Sequence, residues 1–79
     1  MPVILRLKGY KFLFFSNEGD EPVHIHIQKA GGNAKMWLDP LIEDEYFYGF
    51  NNREIKEIKA IVNEHRENFK RAWYEYFGQ

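Results

Sequence analysis

Cysteine is absent from the 79-residue sequence, and so is any long apolar run. Without cysteine the chain can form no disulfide, no thiolate nucleophile and no zinc–thiolate site, which is typical of proteins in a reducing compartment. A membrane-spanning helix needs about 18 or more predominantly apolar residues, and a signal peptide needs a shorter apolar run with a cleavage site; neither is present. We therefore expect a cytoplasmic protein with no membrane partner, in which any metal would need histidine or carboxylate ligands.

A strong net charge of either sign is also lacking. The formal net charge is −1, so no overall positive field would hold a polyanion, and nucleic-acid binding would have to rely on a local patch. The length predicts a single domain, residues 1–79, with a small core. Seven Phe, five Tyr and two Trp are more than such a core can hide completely, so some aromatic surface is expected to meet a partner.

Two of the three histidines stand close together in a stretch of alternating polarity. His24 and His26 alternate with Val23, Ile25 and Ile27, which is the period-two pattern of a strand with one apolar and one polar face. Two residues of rise place the α-carbons of the histidines about 6.5 Å apart. The pattern therefore predicts two adjacent imidazoles on a solvated face, close enough to act on one phosphate or one metal ion.

The local patterns along the chain predict an α+β fold. Alternating or apolar stretches indicate a small antiparallel sheet of four to five strands, and a capping-box sequence at Asn51 and Glu54 marks the start of one long helix. The helix would pack on one face of the sheet. The predicted strands cover residues 3–8, 10–15, 23–28 and 34–38, with a short fifth strand at 45–48, and the predicted helix covers residues 52–77.

The predicted helix is longer than the strands it would cover. It spans roughly 39 Å at 1.5 Å per residue, whereas a strand of five or six residues spans about 17–20 Å. The helix is expected to bury Val23, Ile25 and Ile27 of the sheet against Ile58, Val62 and Phe69. Its second half would project and leave an apolar patch that solvent tolerates poorly. We expect this patch to be an interface, formed by Phe69, Trp73, Tyr76 and Phe77.

Three interpretations of His24 and His26 stay open. They can be polar residues of a solvated strand face, without a chemical role. They can bind a metal ion, which needs a third ligand such as Asp20, Glu21 or Asp39; none of these has diagnostic spacing, so we predict no metal and no cofactor. They can also be a catalytic acid–base pair that cleaves RNA without a metal, with one ring neutral and one charged.

Basic and aromatic residues around the histidines would support the RNA interpretation, because cations contact phosphates and an indole can stack on a base. The third histidine, His65, falls on the apolar stripe of the helix and is expected to be buried and neutral. The predicted binding residues are Arg6, Lys8, Lys29, Lys35 and Trp37.

The histidine stretch, Pro22-Val23-His24-Ile25-His26-Ile27, resembles the Pro-Pro-His-Phe-His-Val signature of a small bacterial family, the domain of unknown function 4160. The resemblance covers most of the chain and includes a terminal helix with His65 and a later Trp73. The chain departs from the pattern at Val23 and at Glu18-Gly19-Asp20, where an Asp-His pair is common. Family members are often encoded beside a second small protein, and such pairs have been proposed as toxin–antitoxin modules. The resemblance implies no established chemistry.

Two classes of function follow from the sequence. The first is an interaction module, a toxin-like component of a toxin–antitoxin pair, that binds a small protein encoded by a neighbouring gene or a second copy of itself. The second is a small metal-independent protein that binds or cleaves RNA with His24 and His26. Whether the chain is an enzyme stays open between them.

Overall fold

Five strands and one long helix make up the computed structural model, which describes residues 2–78. The predicted α+β fold, with a small antiparallel sheet and one C-terminal helix, is confirmed. The fifth strand is present and is as long as its neighbours. The elements are β1 (Val3–Leu7), β2 (Tyr10–Leu13), β3 (His24–Lys29), β4 (Gly32–Trp37), β5 (Glu43–Tyr48) and α1 (Asn52–Phe77).

The five strands form one antiparallel meander in the order β1-β2-β3-β4-β5. Two of its hairpins are closed by two-residue turns in which both residues have positive φ. These are Lys8 (54°) with Gly9 (85°), and Ala30 (36°) with Gly31 (83°). Turns of this kind match the right-handed twist of the strands that they join. The sheet is therefore open, with β1 at one edge and β5 at the other.

The helix covers one face of the sheet, here called the inner face. Ile25 and Ile27 of β3 are buried there, in one apolar cluster with Ile58, Val62 and Phe69 of the helix. The cluster continues on both sides of β3, because the cross-strand partners of these isoleucines, Phe12, Ala34 and Met36, are also buried. The predicted packing of the strand against the helix is confirmed.

Both ends of α1 are capped as the sequence indicates. Asn51 accepts a hydrogen bond from the Glu54 amide, and the Glu54 carboxylate accepts one from the Asn51 amide, so the predicted capping box is formed. At the other end Gly78 has φ 71°, and its amide bonds the Tyr74 carbonyl. Among the described residues, no helix is long and apolar enough to cross a membrane.

The second half of the helix does not project into solvent. The segment between β2 and β3 folds against it, and Phe14 packs edge to face on Trp73 with ring centroids 5.2 Å apart. Phe77 lies against Gly19 of the same segment. The predicted apolar patch is therefore wrong for Phe69 and Trp73, which are buried in the chain's own core. Tyr76 is the exposed member of the predicted interface.

Candidate functional site

A half-buried carboxylate joins the two strand histidines. Oε1 of Glu18 lies 2.8 Å from Nε2 of His24 and 2.7 Å from Nε2 of His26. The other ring nitrogen of His24, Nδ1, lies 2.9 Å from the carbonyl oxygen of Pro22. We call Glu18, His24 and His26 the carboxylate–histidine cluster.

Two different parts of the chain build this cluster. His24 and His26 are two residues apart on β3, so both side chains lie on the outer face of the sheet, the side away from Ile25 and Ile27. His24 is at the start of the strand, where its ring also meets Trp73 from the end of the helix. Glu18 comes from the segment between β2 and β3, which turns back on itself through hydrogen bonds from the Glu18 amide to the Phe15 carbonyl and from the Glu21 amide to the Glu18 carbonyl. These turns place the Glu18 carboxylate over the imidazoles.

The predicted solvated face for the histidines is wrong. His24 is 0% and His26 is 2% exposed, because the segment between β2 and β3 covers this part of the outer face and aromatic rings close the sides. Phe15 lies over His26 with ring centroids 4.2 Å apart, and His24 is bordered by Trp37 at 5.4 Å and Trp73 at 4.8 Å. Glu18 is the part of the cluster that reaches solvent.

Burial and hydrogen bonding shift the pKa values of Glu18 and His26 in opposite directions. Burial opposes ionisation of Glu18, but the hydrogen bonds from the two imidazoles outweigh it and lower the pKa of the Glu18 carboxyl. Burial also lowers the pKa of His26, and the hydrogen bond to Glu18 only partly compensates. Nδ1 of His26 is buried without a hydrogen-bond partner among the described residues.

The carboxylates considered from the sequence as third ligands lie elsewhere. Glu21 bonds Lys35 at 2.8 Å, and Asp39 lies 3.4 Å from Lys70. Asp20 is exposed. Glu18 precedes His24 by six residues and His26 by eight, and it was not among the predicted ligands because no local pattern shows how a loop of this length turns back.

The predicted binding residues do not form one patch. Lys8 pairs with Glu57 of the helix, and the ammonium of Lys29 lies 4.6 Å from the centre of the Tyr10 ring, so both belong to the helix side of the sheet. Lys35 and Trp37 are on the outer face and already have partners: Lys35 bonds Glu21 and lies over the Trp37 ring, and the Trp37 indole donates to Glu45. Arg6 is exposed on the outer face.

The predicted burial of His65 is also wrong. The residue is half-buried, and its ring lies 5.9 Å from that of Phe69. It does not belong to the carboxylate–histidine cluster.

A row of polar side chains crosses the outer face at the end away from the cluster. Its members are directly opposite one another on successive strands, and the row spans about 19 Å, four strand spacings of about 4.8 Å. Within residues 2–78, no hydrogen bond or ion pair involves the side chains of four members of the row, which are Arg6, Lys11, Gln28 and Asn33. This outer-face row consists of Arg6, Lys11, Gln28, Asn33 and Tyr48.

The two edges of the sheet differ in charge. Strand β5 carries three consecutive acidic residues, Glu43, Asp44 and Glu45, and all three are exposed. Charged side chains of this kind protect a sheet edge from pairing with another strand. Strand β1 has the sequence Val-Ile-Leu-Arg-Leu, in which Arg6 is the single charge. The β1 edge therefore lacks the protection that β5 has.

The family resemblance is confirmed by comparison with known proteins. A family model described as "Domain of unknown function (DUF4160)" matches residues 9–74. Comparisons with curated proteins and with solved structures give no significant match. The matched range contains the whole carboxylate–histidine cluster and most of the helix.

Proposed function

The chain belongs to the domain of unknown function 4160 family, and from this premise we propose that it is an interaction module that binds an extended segment of a partner protein along β1. The single observation that supports this function is the difference between the two sheet edges. Strand β5 is protected by three carboxylates, whereas β1 presents four apolar residues and one arginine. An unprotected edge can pair with an incoming strand through its free backbone groups.

The side chains of β1 define the sequence that such a partner needs. Leu5 and Leu7 are directed to the inner face, since their partners on β2 are Phe12 and Tyr10, which are buried in the core. Arg6 is directed to the outer face, opposite Lys11. A strand paired to β1 places apolar residues beside the leucines and an acidic residue beside Arg6. The expected partner segment therefore alternates apolar and acidic residues.

A second copy of the chain fits this edge less well. Pairing of two β1 strands would bring the Arg6 and Lys11 of both molecules to the same outer face, and like charges in neighbouring strands are unfavourable. A different protein with an acidic segment avoids this repulsion. The second small protein implied by the family resemblance is the expected partner, in the manner of a toxin–antitoxin pair, although β1 binding does not require toxicity.

The experiment uses a fluorescent synthetic peptide of alternating valine and glutamate, with a valine–lysine peptide as its matched control. Binding is measured by anisotropy, and its location by amide chemical-shift changes. We expect shifts centred on β1 and β2 with the acidic peptide and none with the basic one.

Two charge-reversal variants locate the binding site. Arg6→Glu should weaken binding of the acidic peptide at least about tenfold through like-charge repulsion. Lys56→Glu, which alters an exposed helix lysine, should leave binding unchanged. Equal effects of the two variants, or shifts centred on the helix, contradict strand addition at β1.

A second candidate, binding of single-stranded RNA, is favoured by the outer-face row. Arg6 and Lys11 are directly opposite each other, a placement that costs stability unless an anion lies nearby. Tyr48 is 66% exposed at the other end of the row and offers a face on which a base can stack. The histidines are buried and cannot contact RNA bound along this row, so the candidate activity is binding without cleavage.

RNA binding is separated from peptide binding by Tyr48→Ala. With a short oligouridine as the probe, this variant should lose affinity for RNA and keep its affinity for the acidic peptide, because Tyr48 is on the opposite sheet edge from β1. Two phosphate contacts predict a salt dependence with a slope of about −1.4 in log K against log salt. RNA binding that is insensitive to both Arg6→Glu and Tyr48→Ala rules out the outer-face row.

A further inference from the structure

Both ring nitrogens of His24 face oxygen atoms. Nδ1 is 2.9 Å from the carbonyl oxygen of Pro22, and Nε2 is 2.8 Å from Oε1 of Glu18. A carbonyl oxygen only accepts hydrogen bonds, so Nδ1 carries a proton and donates it. In a neutral imidazole the lone pair is then on Nε2, directed at a carboxylate that also only accepts. A cation, either a proton or a metal ion, has to lie between Nε2 and Glu18.

The same carboxylate oxygen contacts a second imidazole. Nε2 of His26 is 2.7 Å from Oε1 of Glu18, and its ring is 5.1 Å from that of His24. One oxygen atom thus faces two ring nitrogens that have no other partner, and the donor atoms of all three residues lie within 4.8 Å of one another. Two imidazoles and a carboxylate that converge in this way form a ligand set that one shared cation can occupy.

We propose that Glu18, His24 and His26 bind one divalent transition-metal ion, through Nε2 of each imidazole and a carboxylate oxygen of Glu18. Two imidazoles with one carboxylate suit ions such as Zn²⁺, Co²⁺ or Fe²⁺, whereas Mg²⁺ and Ca²⁺ take oxygen ligands almost exclusively. This inference is independent of partner binding along β1, which lies at the edge of the sheet.

The cluster has one movable ligand and two fixed ligands. Metal–ligand bonds of about 2.0–2.2 Å place neighbouring ligand atoms about 3.4 Å apart in a tetrahedral site. The carboxylate of Glu18 therefore has to withdraw by about 0.6 Å from its hydrogen-bond distance. Glu18 is in a loop and has a 20% exposed side chain, so it can shift. The imidazoles are held by β3 and by the aromatic rings around them.

The contact between His24 and Pro22 is of the type that orients metal-binding histidines. Such histidines usually donate the second ring N–H to a backbone carbonyl or a carboxylate, which fixes the ring and directs the other nitrogen to the ion. His24 has this arrangement already. The ion would also have a neighbouring cation, Lys35, whose ammonium is paired with the Glu21 carboxylate at 2.8 Å. Glu21 therefore offsets the repulsion between Lys35 and the ion.

The test is titration of the chelator-treated protein with Zn²⁺ and with Co²⁺ by calorimetry and visible absorption. We expect one equivalent to bind, with d–d bands for Co²⁺ that indicate imidazole ligands. Glu18→Gln, which keeps the shape of the side chain, and His26→Gln should each weaken binding at least about 100-fold. Asp20→Asn removes an exposed carboxylate of the same loop that is not a ligand, so it should leave binding unchanged. Circular dichroism of each variant checks that it is folded.

The protonation of His24 separates the metal site from a proton-bridged pair. Long-range ¹H–¹⁵N spectra should show that saturating Zn²⁺ removes the proton from Nε2 and leaves the proton on Nδ1. If both nitrogens of His24 stay protonated with Zn²⁺ in excess, the cluster is an imidazolium–carboxylate pair and the proposal is wrong. Zn²⁺ binding of equal strength in Glu18→Gln and wild type would place the ion elsewhere and would also overturn it.

Discussion

The imidazole of His24 and the indole of Trp73 meet edge to face, with ring centroids 4.8 Å apart. His24 comes from the start of β3, and Trp73 comes from the last turns of the helix. The contact closes one side of the carboxylate–histidine cluster, because both rings are fully buried. The end of the helix is therefore part of the wall of the candidate site as well as part of the core.

We predict that Trp73→Ala lowers the free energy of unfolding by about 3–5 kcal/mol, the usual cost of removing a large buried aromatic side chain. The indole packs against Phe14 and Phe77 as well as His24, so its loss opens a cavity that these rings cannot fill together. Urea unfolding followed by circular dichroism measures the change. Tyr74→Ala, at the adjacent and 38% exposed position, should cost less than about 1 kcal/mol. Similar losses for the two variants would show that Trp73 is not buried in solution.

The packing of the sheet against the helix predicts the cost of two truncations. Ile25→Ala and Val62→Ala should each destabilise the protein by about 2–4 kcal/mol, since both side chains are fully buried in one cluster. Leu41→Ala is the control, because Leu41 is 65% exposed and its loss opens no cavity. Urea unfolding gives the midpoint for each of the three variants, and the midpoints report stability where the denaturant dependence (m-value) is unchanged. An effect of Leu41→Ala as large as the other two would contradict the assigned core.

The architecture follows from periodicities that the sequence displays directly. Alternation in β3 and the heptad-like spacing of Ile58 and Val62 each define an apolar face, and two apolar faces of this kind bury each other. Asn51 and Glu54 form the capping box that their spacing predicts. These signals are local, so one sequence is enough to interpret them.

The candidate site depends on contacts that no local pattern encodes. The alternation of polar and apolar residues in β3 correctly places His24 and His26 on the same face of the sheet. It does not show whether another segment of the chain covers that face. The covering segment is a loop, and its path depends on turns at Glu18 and on the close approach of Gly19 to Phe77. The same loop buries the helix end, so the missing information produced two wrong predictions, a solvated histidine pair and a projecting aromatic patch.

The approach of Gly19 to Phe77 gives a prediction of its own. A Cβ atom at Gly19 would overlap Cδ1 of the Phe77 ring, so Gly19→Ala should destabilise the protein by about 1–3 kcal/mol. The clash is with a side chain and not with backbone, so Phe77→Ala should relieve it. In a double-mutant cycle the two costs should be clearly less than additive.

Asp20→Ala is the matched control for Gly19, because Asp20 is the next residue of the same loop and is exposed. It should change the free energy of unfolding by no more than about 0.5 kcal/mol. Strict additivity of Gly19→Ala and Phe77→Ala would mean that the loop does not pack on the helix end, and that the cover over the carboxylate–histidine cluster is open.

The last prediction concerns alkaline pH and the hydrogen bond that ties β2 to the helix. The hydroxyl of Tyr10 donates to Oε1 of Glu57 at 2.7 Å, and burial together with this bond raises the pKa of Tyr10 to about 12. An unfolded tyrosine ionises near pH 10. The folded state thus holds the phenolic proton more tightly, and the contribution of Tyr10 to stability is complete below about pH 10. Between about pH 10 and 12 the unfolded state loses the proton first, so stability falls by up to about 1.4 kcal/mol per pH unit.

Urea unfolding at several pH values between about 9 and 12 tests this, with Tyr10→Phe as the reference. Burial also raises the pKa of Tyr46, so wild type alone would mix two contributions, whereas the difference between wild type and Tyr10→Phe isolates Tyr10. Wild type should be the more stable protein below about pH 10, and its advantage should shrink steadily as the pH rises towards 12. A titration followed by phenolate absorbance should show one tyrosine that ionises near pH 12 in wild type. This step should be absent from the titration of Tyr10→Phe. Parallel stability curves for the two proteins would mean that Tyr10 ionises equally in the folded and unfolded states, and that its bond to Glu57 does not hold the helix to β2.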